Sequence, residues 1–185
     1  LYAGGTCFDI GYPSTLGAYD VTFNGPAAQG RTDVVITKYN ASGTSLLYST
    51  YIGGASNTEI VTSLVVDKAN ELLLYGATGS FDFPVTPTAY DTTFNGGIPL
   101  RFIYNGSFFD HGTDIYVAKF NASGTSLLAS TFIGGSMNDG VNVNNDSTLF
   151  LPGPPPIYEF PADSLQYNYG DQYRGEINVD VYGNV

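Results

Sequence analysis

The residues of this sequence that could do chemistry are few, and their spacing matches no catalytic motif. His111 is the only histidine and Cys7 the only cysteine among 185 residues. A Ser-His-Asp triad needs a histidine base, and zinc sites are built mainly from several His and Cys ligands. Seventeen acidic residues offer many carboxylate pairs for glycoside hydrolysis, but no distinctive sequence surrounds any pair. The sequence therefore predicts a protein that is not an enzyme.

Aromatic and charged side chains cluster in residues 98–112. This segment precedes the second of the two sequence copies described below and has no counterpart before the first. Insertions in repeat proteins map to loops, often on a binding face. Aromatic rings beside polar groups suit contact with a carbohydrate or a protein. We predict a binding loop here, and the alternative is a loop that packs on its own sheet. The predicted contact residues are Arg101, Phe102, Tyr104, Phe108, Phe109 and His111.

Side-chain oxygens that suit a metal ion are concentrated in residues 138–146. Asn142, Asn144 and Asp146 would share one face of a strand, and Ca²⁺ takes about six to eight oxygen ligands. The spacing is neither that of an EF-hand nor that of a calcium-binding nonapeptide repeat, and a polar edge strand accounts for the same residues. We predict no cofactor, with calcium as the alternative that these side chains leave open.

Two stretches of the chain are nearly identical in sequence. The strands that they form must position the side chains described above. Residues 32–54 read TDVVITKYNASGTSLLYSTYIGG and residues 113–135 read TDIYVAKFNASGTSLLASTFIGG, with 16 of 23 positions identical. A shorter block also repeats, because residues 18–25 match residues 89–96 at an offset of 71 instead of 81. Repetition at a long period indicates an array of like structural units.

The first copy predicts four successive antiparallel strands. Residues 33–39 are apolar on both alternating faces, which indicates a strand covered on both sides. Further strands are predicted at 45–52, 60–66 and 72–77, separated by Asn-Ala-Ser-Gly, Gly-Gly and Asp-Lys-Ala-Asn breaks. Four-stranded units with two apolar faces must stack on neighbours, as the blades of a β-propeller do. The alternative is a β-sandwich, whose strands would show one polar face.

The spacing of the copies divides residues 1–185 into parts of one all-β propeller domain. We predict the end of a blade and a connector in 1–31, and a blade with its connector and the inserted loop in 32–112. A second blade and connector follow in 113–173. Residues 174–185 are predicted to supply the first strand of the next blade, because GEINVDVY has suitable alternation. Two blades do not close a ring, so this is a partial propeller.

The ordered blocks of sequence resemble the bacterial SBBP family, a seven-bladed β-propeller repeat. The matching positions are Asp33, Lys38, Asn40, Gly43, the YSTYIGG strand at 48–54, Asp67, Asn70 and the Asp-Phe-Pro block at 82–84. The second copy matches over 114–135 and departs after Gly135, where the unit is shorter and its third strand unusually polar. The resemblance implies secreted or cell-surface bacterial proteins, often large and multidomain, and it implies no known reaction.

Composition limits the partners of the chain. The net charge is −11, whereas nucleic acids and anionic membranes attract basic surfaces. No apolar run reaches the length of a membrane-spanning helix. We therefore predict neither nucleic-acid binding nor membrane insertion.

Together with the resemblance, this composition favours a non-enzymatic structural or adhesive module at the extracellular bacterial cell surface. Its expected partners are other domains or subunits of a larger surface assembly, with glycans as an alternative. Two other functions stay open, since a propeller hosts many activities. One is a lectin-like ligand-binding propeller, and the other is a fragment of a propeller enzyme whose active site lies outside this chain.

Overall fold

The computed structural model describes residues 1–25, 30–102, 107–141, 150–151, 157–158, 175–182 and 184–185. All regular structure in these residues is β-strand, so the all-β prediction is confirmed. Within the same residues there is no helix long and apolar enough to cross a membrane. The strands are β1 (Tyr2–Cys7), β2 (Asp33–Tyr39), β3 (Leu46–Ile52), β4 (Glu59–Val66), β5 (Leu72–Thr78), β6 (Leu100–Phe102), β7 (Ser107–Phe109), β8 (Asp114–Phe120), β9 (Leu127–Ile133), β10 (Phe150–Leu151) and β11 (Ile157–Tyr158).

The described strands form two larger antiparallel sheets and two short hairpins. Sheet A has the order β1-β2-β3, and sheet B has the order β4-β5-β8-β9. Strands β6 and β7 pair with each other, as do β10 and β11. The two sequence copies therefore place their first strands, β2 and β8, in different sheets.

The strands of the predicted four-stranded unit at 32–78 do not form one sheet. The first two strands of that unit join β1 in sheet A, and its last two strands join β8 and β9 in sheet B. The break at Gly53-Gly54 carries the chain from one sheet to the other. A Cβ at Gly53 would collide with Asp33 Oδ1 and would lie 2.8 Å from Glu59 Oε2, so the close approach of the two sheets there requires glycine.

The main hydrophobic core lies between the two sheets. One face of sheet A contributes Val34, Ile36 and Ile52, and one face of sheet B contributes Leu72 and Leu74. All five side chains are fully buried. We call the face of sheet B that carries Leu72 and Leu74 its inner face. The opposite face, which carries Leu73 and Ala77, is its outer face. The central strands of sheet B are apolar on both faces because the inner face packs on sheet A and the outer face buries a second cluster. Strands covered on both sides were predicted from the sequence.

The connectors repeat in structure as well as in sequence. In the first, the backbone N–H of Asn24 donates to Asp33 Oδ2 at 2.7 Å. In the second, the N–H of Asn95 donates to Asp114 Oδ2 at the same 2.7 Å. Each connector therefore donates an Asn backbone N–H to the aspartate that begins the next strand.

Residues 175–182 contain no assigned strand, which differs from the predicted first strand of a further unit. Asp67, in the turn between β4 and β5, accepts the N–H groups two and four positions further on at 2.8 and 3.0 Å. Asp180 accepts N–H groups at the same two spacings, both at 2.8 Å. Asp180 therefore accepts a pair of N–H groups equivalent to the pair that Asp67 accepts in the aspartate-capped turn at 67–71.

Candidate functional site

The inserted segment forms a short hairpin that packs on the outer face of sheet B. In the β6–β7 pair, Leu100 lies opposite Phe109. Both side chains are fully buried, in a cluster with Ile60 and Ala77 of sheet B. This packing is the alternative that the sequence left open, in which the loop rests on its own sheet.

The six predicted contact residues have different environments. Phe109 is fully buried, so its ring stabilises the hairpin and offers no contact surface. Phe108 is half-buried and His111 is exposed. Arg101 and Phe102 belong to β6, where the structure describes the backbone, and Tyr104 lies outside the described residues.

His111 lies beside side chains that the sequence places far away. Its Nδ1 is 3.4 Å from the Asn57 side-chain amide nitrogen, which donates when Nδ1 is unprotonated. Its ring is 5.7 Å from the ring of Phe81, with the planes 65° apart. Phe81 is 62% exposed, so an aromatic ring and an imidazole face solvent together. We call Arg31, Asn57, Phe81, Asp110 and His111 the His111 cluster.

An ion pair fastens this cluster to sheet A. Arg31, just before β2, donates through Nη2 to Asp110 Oδ2 at 2.9 Å. The two side chains are 19% and 36% exposed, and partly exposed pairs of this kind contribute about 1 kcal/mol or less. Its main effect is therefore positional, because it holds the inserted loop against the entry to β2.

Asn57 is the buried member of the cluster and contacts both His111 and Asp110. It is fully buried, and its Oδ1 accepts the N–H of Thr58 at 3.0 Å and lies 3.4 Å from the N–H of Asp110. Its own N–H donates to Ser80 Oγ at 2.9 Å. The buried amide therefore holds the exposed groups in place, and exposed rings and charged side chains of this kind can contact a sugar or a polar peptide.

Sequence reasoning identified His111 but not the residues around it. Arg31, Asn57 and Phe81 come from three separate segments, and their spacing along the chain indicates no common site. The available signal was the position of each residue at the end of a strand or next to a Gly-Gly break. Residues at such positions meet at one end of stacked sheets.

Two buried carboxyl groups lie near the same end, where sheets A and B meet. Asp33 Oδ2 accepts the Asn24 N–H, and Glu59 Oε1 accepts from Thr78 Oγ1 at 2.9 Å. Asp33 Oδ1 and Glu59 Oε2 have no hydrogen-bond partner among the described residues. Both lie close to the place that a Cβ at Gly53 would occupy.

Burial determines the protonation of this pair. It raises the pKa of Asp33 to about 6. It raises the pKa of Glu59 well above its usual range, and the nearby charge of Asp33 acts in the same direction. Both side chains are fully buried, so no substrate reaches them. They form an internal contact between the two sheets, in which both carboxyl groups are protonated only below about pH 6.

The predicted calcium cluster is only partly described. Asn138 Oδ1 accepts the N–H of Thr113 at 3.1 Å, and Asp139 Oδ2 accepts the N–H of Gly135 at 2.8 Å. Asn142, Asn144, Asn145 and Asp146 lie outside the described residues. Within the described part of the chain, no group of three or more His, Cys, Asp or Glu residues is arranged to hold a metal ion.

Neither a scan against protein-family models nor a search of curated proteins finds a match for this chain. The similarity to SBBP repeats therefore stays a prediction that depends on the ordered blocks of sequence.

Proposed function

We propose that the chain is a run of consecutive β-propeller blades in a non-enzymatic structural and adhesive module of an exported bacterial surface protein. The observation that carries the proposal is that sheets A and B contain equivalent strands and stack through their faces. Strands β2 and β3 correspond to β8 and β9, yet they lie in separate sheets that share one core. A propeller is built by repeating this contact around an axis.

Two-sided packing distinguishes this arrangement from a simple sandwich. The inner face of sheet B packs on sheet A, and its outer face buries Ala77 and Ile60 under the inserted hairpin. A two-layer sandwich would leave one face of each sheet to water. An experimental structure in which further sheets form flat parallel layers, with no common axis, would contradict the propeller assignment.

Adhesion is assigned to the His111 cluster. Phe81 and His111 are exposed there, and the Arg31–Asp110 pair and buried Asn57 hold them in place. Pre-organised aromatic and polar groups of this kind bind with little loss of side-chain entropy. The partner is a glycan or a polar segment of another surface protein. Export to the cell surface is supported by the resemblance to SBBP repeats.

The test is binding of the fluorescently labelled full chain to a glycan array and to isolated bacterial surface material. We expect retention on at least one of these, and about tenfold weaker retention for Phe81→Ser, which corresponds to about 1.4 kcal/mol. Tyr182→Ser is the matched control, because Tyr182 is 87% exposed and outside the cluster. Equal binding by both variants, or no binding by the parent chain, would contradict the adhesive role. Cleavage of a retained glycan would favour the enzyme alternative.

A further inference from the structure

A turn of sheet B is bound by a pocket on sheet A, and this contact has a counterpart elsewhere in the molecule. The N–H of Tyr19 donates to the carbonyl oxygen of Gly124 at 2.9 Å, and Lys38 Nζ donates to the carbonyl oxygen of Ala122 at 2.8 Å. The ring of Tyr19 meets the ring of Phe120 edge-on, 5.3 Å between centroids. Two backbone carbonyls and one aromatic ring of residues 120–124 are therefore recognised by sheet A and its connector.

The fit of this turn is close. A Cβ at Gly124 would collide with the ring of Tyr48, so the backbone of the turn lies directly on that ring. Gly124 also has a φ of 68°, a conformation that glycine adopts readily. The pocket on sheet A therefore selects a turn with glycine at this position.

The repeat places an equivalent pocket on the outer face of sheet B. Tyr90 corresponds to Tyr19 at the offset of 71, while Lys119 and Ala129 correspond to Lys38 and Tyr48 at the offset of 81. These three residues line an open groove of about 270 Å³. Its lining also includes Leu73, Val117 and Thr131. In this groove Ala129 stands at the position that the Tyr48 ring occupies in the counterpart.

None of the described residues places a turn in this groove as residues 120–124 do in its counterpart. Tyr90 is 94% exposed, whereas Tyr19 is half-buried against Phe120. Lys119 Nζ bonds Asp67 Oδ2 at 2.9 Å and Glu71 Oε2 at 2.6 Å. An ammonium group has three donors, so Lys119 keeps one for a carbonyl oxygen.

Other parts of the outer face make contacts like those made on sheet A. On sheet A, the N–H of Glu59 donates to the carbonyl oxygen of Thr32 at 2.9 Å, at the start of β4. On sheet B, the N–H of Asp139 donates to the carbonyl oxygen of Thr113 at 2.8 Å. Further along the outer face, the N–H of Ile177 donates to Ser63 Oγ at 3.2 Å. The groove is the part of the repeated contact that the described residues leave open.

The chain carries a second turn with the shape that the first pocket binds. Asn40 Oδ1 accepts the N–H groups four and five positions further on at 2.8 and 3.2 Å. Asn121 Oδ1 does the same at 2.9 and 3.2 Å. Gly43 has a φ of 72°, close to that of Gly124, and residues 41–43 are exposed. The turn at 39–43 is thus the same ligand, presented to solvent.

We propose that the groove on sheet B binds the aromatic-Asn-Ala-Ser-Gly turn of another repeat, and that the turn at 39–43 of a second copy of this chain occupies it. Lys119 Nζ donates to the Ala41 carbonyl oxygen, the Tyr90 N–H donates to the Gly43 carbonyl oxygen, and the ring of Tyr39 packs on Tyr90. Because groove and turn are different surfaces, the contact is head-to-tail and extends to rings or filaments. It goes beyond the adhesive role and is independent of the His111 cluster.

Two variants separate the two halves of the contact. Ala129→Arg fills the groove and leaves the turn intact, and Tyr39→Ser removes the turn's ring and leaves the groove intact. Both residues have exposed side chains in the free chain, so both variants should fold. ¹⁵N-labelled Tyr39→Ser protein is titrated with unlabelled Ala129→Arg protein to about 1 mM, which detects weak association.

We expect shifted amide signals at Tyr90, Val117 and Thr131, and none when the titrant carries both substitutions. In sedimentation, the parent chain should gain mass with concentration, and each single variant should stay monomeric. Leu16→Arg, at a fully exposed connector position, is the control that associates like the parent. The proposal is overturned if no signals shift by about 1 mM, if the shifts lie away from the groove, or if Ala129→Arg protein self-associates like the parent chain.

Discussion

The face of sheet A that meets sheet B and the outer face of sheet B are built from equivalent residues, yet they differ in burial. Ile52 is fully buried, whereas Ile133, its counterpart at the same strand position, is 45% exposed. Tyr19 packs on Phe120, whereas Tyr90 is almost fully exposed. Because the residue types are the same, the difference comes from the neighbour and not from the strand. One face has a complete sheet against it, whereas among the described residues the other has a hairpin and a short segment.

The largest effect should come from the matched isoleucines. Ile52→Ala removes a side chain from the shared core and should lower the free energy of unfolding by about 2–5 kcal/mol. Ile133→Ala, at a half-exposed site, should cost less than about 1 kcal/mol. Urea unfolding of both variants measures the difference. Equal losses would mean that the second face is as fully packed as the first.

A smaller difference in stability is expected between alanine substitutions of two glycines that have similar backbone conformations. Gly43→Ala and Gly124→Ala both place a side chain at positive φ, which costs about 1–2 kcal/mol in each case. At Gly124 the new Cβ also collides with Tyr48, while at Gly43 its nearest neighbour is Leu1 Cδ1 at 3.6 Å. Gly124→Ala should therefore lose a further 1–3 kcal/mol or so. Thermal unfolding that ranks the two variants equally would contradict the docked turn.

The cost in stability should differ less between substitutions of the two connector tyrosines, Tyr19 and Tyr90. Tyr19→Ala removes an edge-to-face ring contact and should cost about 1 kcal/mol or more. Tyr90→Ala, at an exposed site, should stay within about 0.5 kcal/mol of the parent chain. Denaturant midpoints at low protein concentration give both values. A loss at Tyr90 as large as at Tyr19 would show that its groove is already filled.

The pH dependence of stability is a separate test, and it concerns the buried contact between the two sheets. The pKa of Asp33 rises from 3.8 to about 6 on folding, so the folded chain keeps a proton that the unfolded chain has lost. The free energy of unfolding should therefore fall as pH rises from about 4 to about 6. Asp33→Asn should flatten this fall, as measured by urea unfolding across that range.

At about pH 3 the parent and Asp33→Asn proteins should be similarly stable, because both side chains are then neutral. An unchanged slope in the variant would show that other carboxyl groups cause the fall. Glu59 shifts in the same direction, so Glu59→Gln should flatten the slope as well.

Much of the local structure was predictable. The strand predicted at 33–39 is β2, and the strand predicted at 45–52 is β3 with one residue fewer. Alternating apolar residues and the Asn-Ala-Ser-Gly turn determine these elements within a few residues of chain. The sheet to which each strand belongs was not predictable in this way, since Gly53-Gly54 permits either a tight hairpin or a step to the next sheet.

The candidate site was less predictable than the strands. His111 was identified from its residue type, but Asn57 and Phe81 became neighbours of it only through the stacking of the sheets. Phe109 was predicted to face a partner because it is an aromatic residue in an insertion. It is buried instead, because the apolar surface of Ile60 and Ala77 lies directly beneath the hairpin.

The sequence by itself determined that the chain is all-β, that its units repeat and where most strands begin and end. These properties depend on contacts within one strand or one turn, so nearby residues are sufficient to specify them. Only the tertiary structure decided how the strands divide between sheets A and B, which of two equivalent faces is buried and which side chains join His111. Those outcomes depend on contacts between residues far apart in the chain, where each surface is defined by what packs against it.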